Sequence, residues 1–153
     1  MRQALFLSSL GLAAALAFPA YASDLSVKEI RAYLFFSNTG VLSENIVGSK
    51  KDFDNTPTGD GEAGGAASNI LVDIILSGQD PVPDGDKATL NITYSDRGTG
   101  KTLKRTFDSF FFGSNGVIHE SVLVENATCW PVKIEATAGT SSKTVTLPFG
   151  CGE

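Results

Sequence analysis

Residues 87–112 read KATLNITYSDRGTGKTLKRTFDSFFF, and this stretch decides the fold class. Ala88, Leu90, Ile92 and Tyr94 fall on one side of an extended chain, with Thr89, Asn91 and Thr93 on the other. A period of two marks a strand with one buried face, because successive side chains of extended backbone point in opposite directions. Arg97-Gly98-Thr99-Gly100 interrupts the run with two glycines, and the chain then resumes in a second extended segment. Two strands joined through such a turn form an antiparallel hairpin.

The same alternation extends in both directions. KEIRAYLFF (28–36) aligns Ile30, Ala32, Leu34 and Phe36; NILVDIIL (69–76) aligns Ile70, Val72, Ile74 and Leu76. GVIHESVLVE (116–125) sets Ile118, Glu120, Val122 and Val124 against Val117, His119, Ser121 and Leu123. WPVKIEATAGTSSKTVTLPFG (130–150) reads as two strands around a turn at 138–142, with Val132, Ile134 and Ala136 facing one way and Val145, Leu147 and Phe149 sharing a face. No stretch of helical length beyond residue 22 keeps a 3.6-residue period. Seven or eight strands between Gly, Pro, Asn and Asp turns predict an all-β antiparallel sandwich, with a small closed barrel as the alternative. The pattern resembles immunoglobulin-like and fibronectin-like domains, although the immunoglobulin Cys and Trp spacing does not occur.

The first 22 residues have a different logic. Arg2 precedes an apolar run from Ala4 to Phe18, followed by Pro19 and the small-residue site Ala20-Tyr21-Ala22. This arrangement predicts a secretory signal peptide over 1–22, cut after Ala22, and a single domain over 23–153. The expected address is periplasmic or secreted, with no membrane-spanning segment in the mature chain. Cys129 and Cys151 are then expected to pair in an oxidising compartment, closing the mouth of the last hairpin. The strand faces place the two cysteines on different sides, so that bridge requires an irregular strand end at Pro131, Pro148 or Gly150.

Charge excludes some partners. The chain has 12 Lys and Arg against 17 Asp and Glu. Removal of Arg2 brings the mature balance to 11 against 17, a net charge of -6. That sign disfavours nucleic acids and anionic membrane surfaces. Arg97, Lys101, Lys104 and Arg105 form one basic cluster, which reads as a solvated hairpin.

Two places attract a functional reading. From Asp52 to Asp86 there are eight acids and no Lys or Arg. Asp52, Asp54, Asp60 and Glu62 lie in a glycine-rich stretch whose oxygen ligands suit calcium, although their spacing is not that of an EF-hand. The simpler reading is an acidic loop that binds no metal, and no other cofactor is indicated. Asp80, Asp84 and Asp86 lie in a second acidic turn, and both turns are candidate surfaces for a basic partner. The second place is FDSFFFG (107–113). If it is a strand, Phe110 and Phe112 point one way and Phe111 the other, leaving one face to be covered or offered to a ligand. Tyr33 and Phe35 extend that aromatic surface, whereas Trp130 is expected in the core.

Catalytic machinery is sparse. His119 and Ser121 share a strand face, but no third residue is indicated and no Gly-x-Ser-x-Gly or phosphate loop occurs. Asn91-Ile92-Thr93 and Asn126-Ala127-Thr128 match the glycosylation acceptor pattern, which matters only in a eukaryotic secretory pathway. The expectation is an exported, non-catalytic module that binds a protein or other ligand through an acidic loop end, with the aromatic patch as a second candidate surface. The alternatives are a small carbohydrate-active or other hydrolytic enzyme using paired carboxylates, and a structural module of an envelope assembly.

Overall fold

A computed structural model describes residues 24–50, 53–54, 67, 69–96, 98–127 and 130–150, with 53, 54 and 150 described in backbone alone. The hairpin expected over 87–107 is β5 (Ala88–Asp96) and β6 (Thr99–Phe107), paired from Ala88 opposite Phe107 to Asp96 opposite Thr99. β5 also pairs with β8 (Val132–Ala138), and β8 with β9 (Ser141–Leu147), giving the sheet β6-β5-β8-β9. The second sheet has the order β2-β1-β4-β7, from β1 (Ser26–Phe36), β2 (Val41–Leu42), β4 (Asn69–Ser77) and β7 (Val117–Val124). Two residues each of β3 (Phe53–Asp54) and β10 (Phe149–Gly150) pair in parallel beside the sheets.

These sheets pack face to face as an antiparallel β-sandwich. With short β2 set aside, β1, β4 and β7 face β6, β5, β8 and β9, the three-over-four strand order of fibronectin-like domains. The alternating residues fill the space between. Ile70, Val72, Ile74 and Leu76 from β4 meet Leu90 and Ile92 from β5 and Ile134 from β8, all without exposed surface. Each such side chain contributes roughly 1.5–3 kcal/mol on leaving water.

The two flanks of the sandwich differ. On one flank β1 reaches the second sheet, where Val27 N donates to Ser141 Oγ of β9 at 3.2 Å. On the other flank β6 and β7 meet sparsely, and Leu103, Ile118 and Val122 are half-buried. Of the basic cluster, Lys101, Lys104 and Arg105 are exposed as expected of a solvated hairpin, with Lys101 paired to Asp96, and Arg97 lies outside the described residues.

Three expectations from the sequence are corrected. β6 ends at Phe107, so Phe110, Phe111 and Phe112 belong to a loop that closes in a 3-10 turn, Gly113–Asn115. The terminal hairpin turns tightly at Gly139 and Thr140, where Gly139 has φ 54°. Phe149 leaves β9 after Pro148 and joins β10, yet it is buried in the core together with Leu147, as the shared face predicts. Trp130 is 56% exposed, outside the core. Cys129, Cys151, Asp52, Asp60 and Glu62 lie outside the described residues, as does the side chain of Asp54.

Candidate binding site

The β4–β5 connection (78–87) and the β6–β7 connection (108–116) come together at one end of the sandwich. The acids of the first connection and the phenylalanines of the second therefore form one surface. Its anchor is Asp80, whose Oδ2 accepts from the backbone amides of Phe112 at 3.1 Å and Gly113 at 3.3 Å. A carboxylate is well matched to amides that begin a helical turn, since these have no partner within the turn. Phe112 is thereby swung inward, where it is 1% exposed and lies over Gly78. Phe110 stacks on it with ring centroids 6.1 Å apart and an interplanar angle of 27°. Phe111 is directed outward and is 81% exposed.

Between the connections lies a cavity of about 410 Å³, lined by Asp80, Asp84, Asp86, Asp108, Phe110 and Phe111 with the Pro81–Pro83 segment. Four carboxylates and two aromatic rings line it, and among the described residues no Lys or Arg does. Asp86 Oδ2 is buried and has no hydrogen-bond partner among the described residues. The groove is thus able to accept hydrogen bonds and cations at several points and to offer a ring face beside them. A second cavity of about 610 Å³, lined by Asp24 and the 77–80 and 113–116 segments, shares Asp80 with the first. Of the acidic residues singled out in the sequence, Asp80 turns out to hold the loop together, whereas Asp84 and Asp86 line the groove. Asp108 was missed because a lone acid after a strand carries no spacing signal.

The outer face of the β1-β4-β7 sheet holds a separate polar cluster. Asp73, on β4, is 7% exposed; its Oδ2 accepts from His119 Nδ1 at 2.8 Å and its Oδ1 from Ser121 Oγ at 3.0 Å. The third residue beside His119 and Ser121 therefore exists. Its position is nevertheless wrong for a nucleophile relay, because the carboxylate sits between serine and histidine and the serine hydroxyl bonds to Asp73. The sequence clue was an acid at an outward position inside the apolar run NILVDIIL. On neighbouring β1, Arg31 donates twice to Glu29 at 2.8 Å. The hydrogen bond from Arg31 holds the Glu29 carboxyl below its ordinary value, and the same pairing raises Arg31. Tyr33 and Phe35 share this outer face and are half-buried, away from the Phe110–Phe112 loop.

Among the described residues no group of three or more His, Cys, Asp or Glu is arranged to hold a metal ion. No helix among them is long and apolar enough to cross a membrane. No protein-family model matches the chain, and no curated protein matches it in sequence.

Proposed function

We propose that this chain is an exported, non-catalytic binding module whose acidic–aromatic groove takes a basic segment of a protein partner. The observation that carries the reading is the junction of Asp84, Asp86 and Asp108 with Phe110 and outward-facing Phe111 in one cavity with no basic lining residue among the described residues. An extended Lys- or Arg-containing segment satisfies both parts of that surface. Its cationic head meets the carboxylates and its stem or a neighbouring apolar residue covers Phe111. Negative charge also steers such a partner toward the loop end. A hydrolytic role has less support: Asp80 is committed to backbone amides, and Asp73 is committed to its two strand neighbours.

The reading is tested by calorimetric titration of the mature chain with a Lys/Arg-rich peptide containing one Trp and with its Glu-substituted counterpart. The basic peptide is expected to bind, with affinity falling as salt rises. D84N/D108N and F111S are each expected to weaken binding by about tenfold without loss of the fold. Equal binding of the acidic and basic peptides, or unchanged binding by both variants, overturns the proposal.

A further inference from the structure

The sheet edges of this sandwich are protected in different ways. The β1 edge is occupied: Ser43 N donates to Leu34 O and Ile46 N to Ala32 O, while Ser43 Oγ and Asn45 Oδ1 accept from Leu34 N and Ala32 N. The β6 edge carries exposed Lys104 and Arg105, the charged side chains that discourage strand pairing. β7 pairs with β4 on one side, and no described strand pairs with it on the other. What distinguishes this edge is Glu120. It lies on the core-facing side of β7, opposite Ile74, between half-buried Ile118 and Val122.

The sequence of β7 is self-complementary about that residue. Val117-Ile118-His119-Glu120-Ser121-Val122-Leu123 runs apolar, apolar, polar, acid, polar, apolar, apolar. In an antiparallel pair related by a two-fold axis at Glu120, Ile118 meets the second copy's Val122, Val117 meets its Leu123, and His119 meets its Ser121. Every core-facing residue then stays on the core-facing side. One pair is unfavourable, because Glu120 meets its own counterpart. We propose that β7 is a strand-addition edge for a second copy of this chain, held shut by the inward-facing Glu120 carboxylate.

An inward-pointing charge on an edge strand is a known guard against pairing, since an added strand would strip the charge of water. Here two carboxylates would also face each other, which requires a proton between them. The groups around Glu120 bear on that proton. β4 presents Ile74, β6 presents Arg105, and His119 and Ser121 of β7 lie on the opposite face with Asp73. Burial already pushes the Glu120 carboxyl up, with Arg105 pulling the other way. Association therefore takes up protons and strengthens as pH falls.

Sedimentation of the mature chain, E120Q, E120K and E125Q at about pH 7.5 and about pH 5.5 tests this. At the higher pH the wild type is expected to be monomeric, and E120Q to associate at least about tenfold more tightly. E125Q removes the same charge beyond the end of β7 and is expected to follow the wild type. E120K keeps a charge on the axis and is expected to stay monomeric at both values, while the wild type associates at the lower one. Amide exchange in the E120Q dimer is expected to slow in β7 and not in β6. Monomeric E120Q that retains its folded circular dichroism, equal association of E125Q, or protection at β6 instead of β7 overturns the proposal. If E120Q does not fold, the wild type and E120K decide the matter alone: acid-induced association of both alike overturns it.

Discussion

Asp80 holds the backbone of Phe112 across 32 residues of sequence, with Oδ2 accepting from the Phe112 amide at 3.1 Å and Oδ1 lying at 3.3 Å. That contact couples the acidic turn to the aromatic loop and so builds the groove. D80A is expected to cost about 1.5–3 kcal/mol, the range for a hydrogen bond to a charged group, and D80N less. Urea unfolding gives the stability change. The loop-specific part is an increase in amide exchange at residues 112–116 that exceeds the increase in β5. A uniform rise would show that Asp80 acts on global stability without a particular hold on the loop.

Gly78 carries the same junction from the other side. A Cβ placed there would lie 2.7 Å from Cε2 and Cζ of Phe112, closer than real side chains approach. G78A must therefore displace a ring that is 1% exposed, at a cost of about 1–3 kcal/mol. Shortening the ring makes room. G78A in an F112L background is expected to cost less than in the wild type, and a double-mutant cycle measured by thermal unfolding reads that coupling.

The fold was legible because alternation is a local property of the chain. Leu90, Ile92, Ile70 and Ile74 declare their faces without knowledge of what they meet. The groove was legible only in its parts. Asp84, Asp86 and Phe111 each drew notice in the sequence, but their meeting depends on two loops converging through Asp80 and Gly78, and neither contact leaves a periodic trace. FDSFFFG was misread for a related reason. Its alternating exposure, with Phe110 and Phe112 packed and Phe111 outward, imitates a strand, whereas Asp80 and the 3-10 turn produce it in a loop. Asp73 was hidden differently: a cross-strand pair of the kind it forms with Ser121 depends on register, which the sequence of one strand does not contain.

The Asp73 cluster makes an asymmetric prediction. Removing both donors in H119A/S121A leaves a carboxylate that is 7% exposed without its two side-chain partners, at a cost of about 2–4 kcal/mol. Adding D73V to that variant removes the stranded acceptor and supplies a β-branched residue suited to a strand. The triple variant is expected to recover most of the lost stability in urea unfolding. A triple variant no more stable than the double would show that Asp73 contributes through packing and not through its two hydrogen bonds.

Glu29 and Glu120 should move the pH profile in opposite directions. Glu29 is held below the ordinary carboxyl value of 4.5, first by its hydrogen bond from Arg31. Its folded state binds a proton less readily than its unfolded state, so its contribution is present above about 4.5 and is lost as pH falls through the lowered value. Glu120 is raised above 4.5, first by burial. Its contribution is full below 4.5 and is lost as pH rises through the raised value, because the folded state then has to carry a poorly solvated charge. E120Q resembles the protonated form at every pH. Measured by urea unfolding in dilute protein, where self-association is negligible, E120Q should match the wild type near pH 4 and exceed it near pH 7, by at most about 1 kcal/mol given how open the site is to water. E29Q should show the reverse order, weaker than the wild type near pH 7 and converging with it in acid. A gap between E120Q and the wild type that stays constant across this range would mean that shape, and not charge, distinguishes the two side chains at this edge.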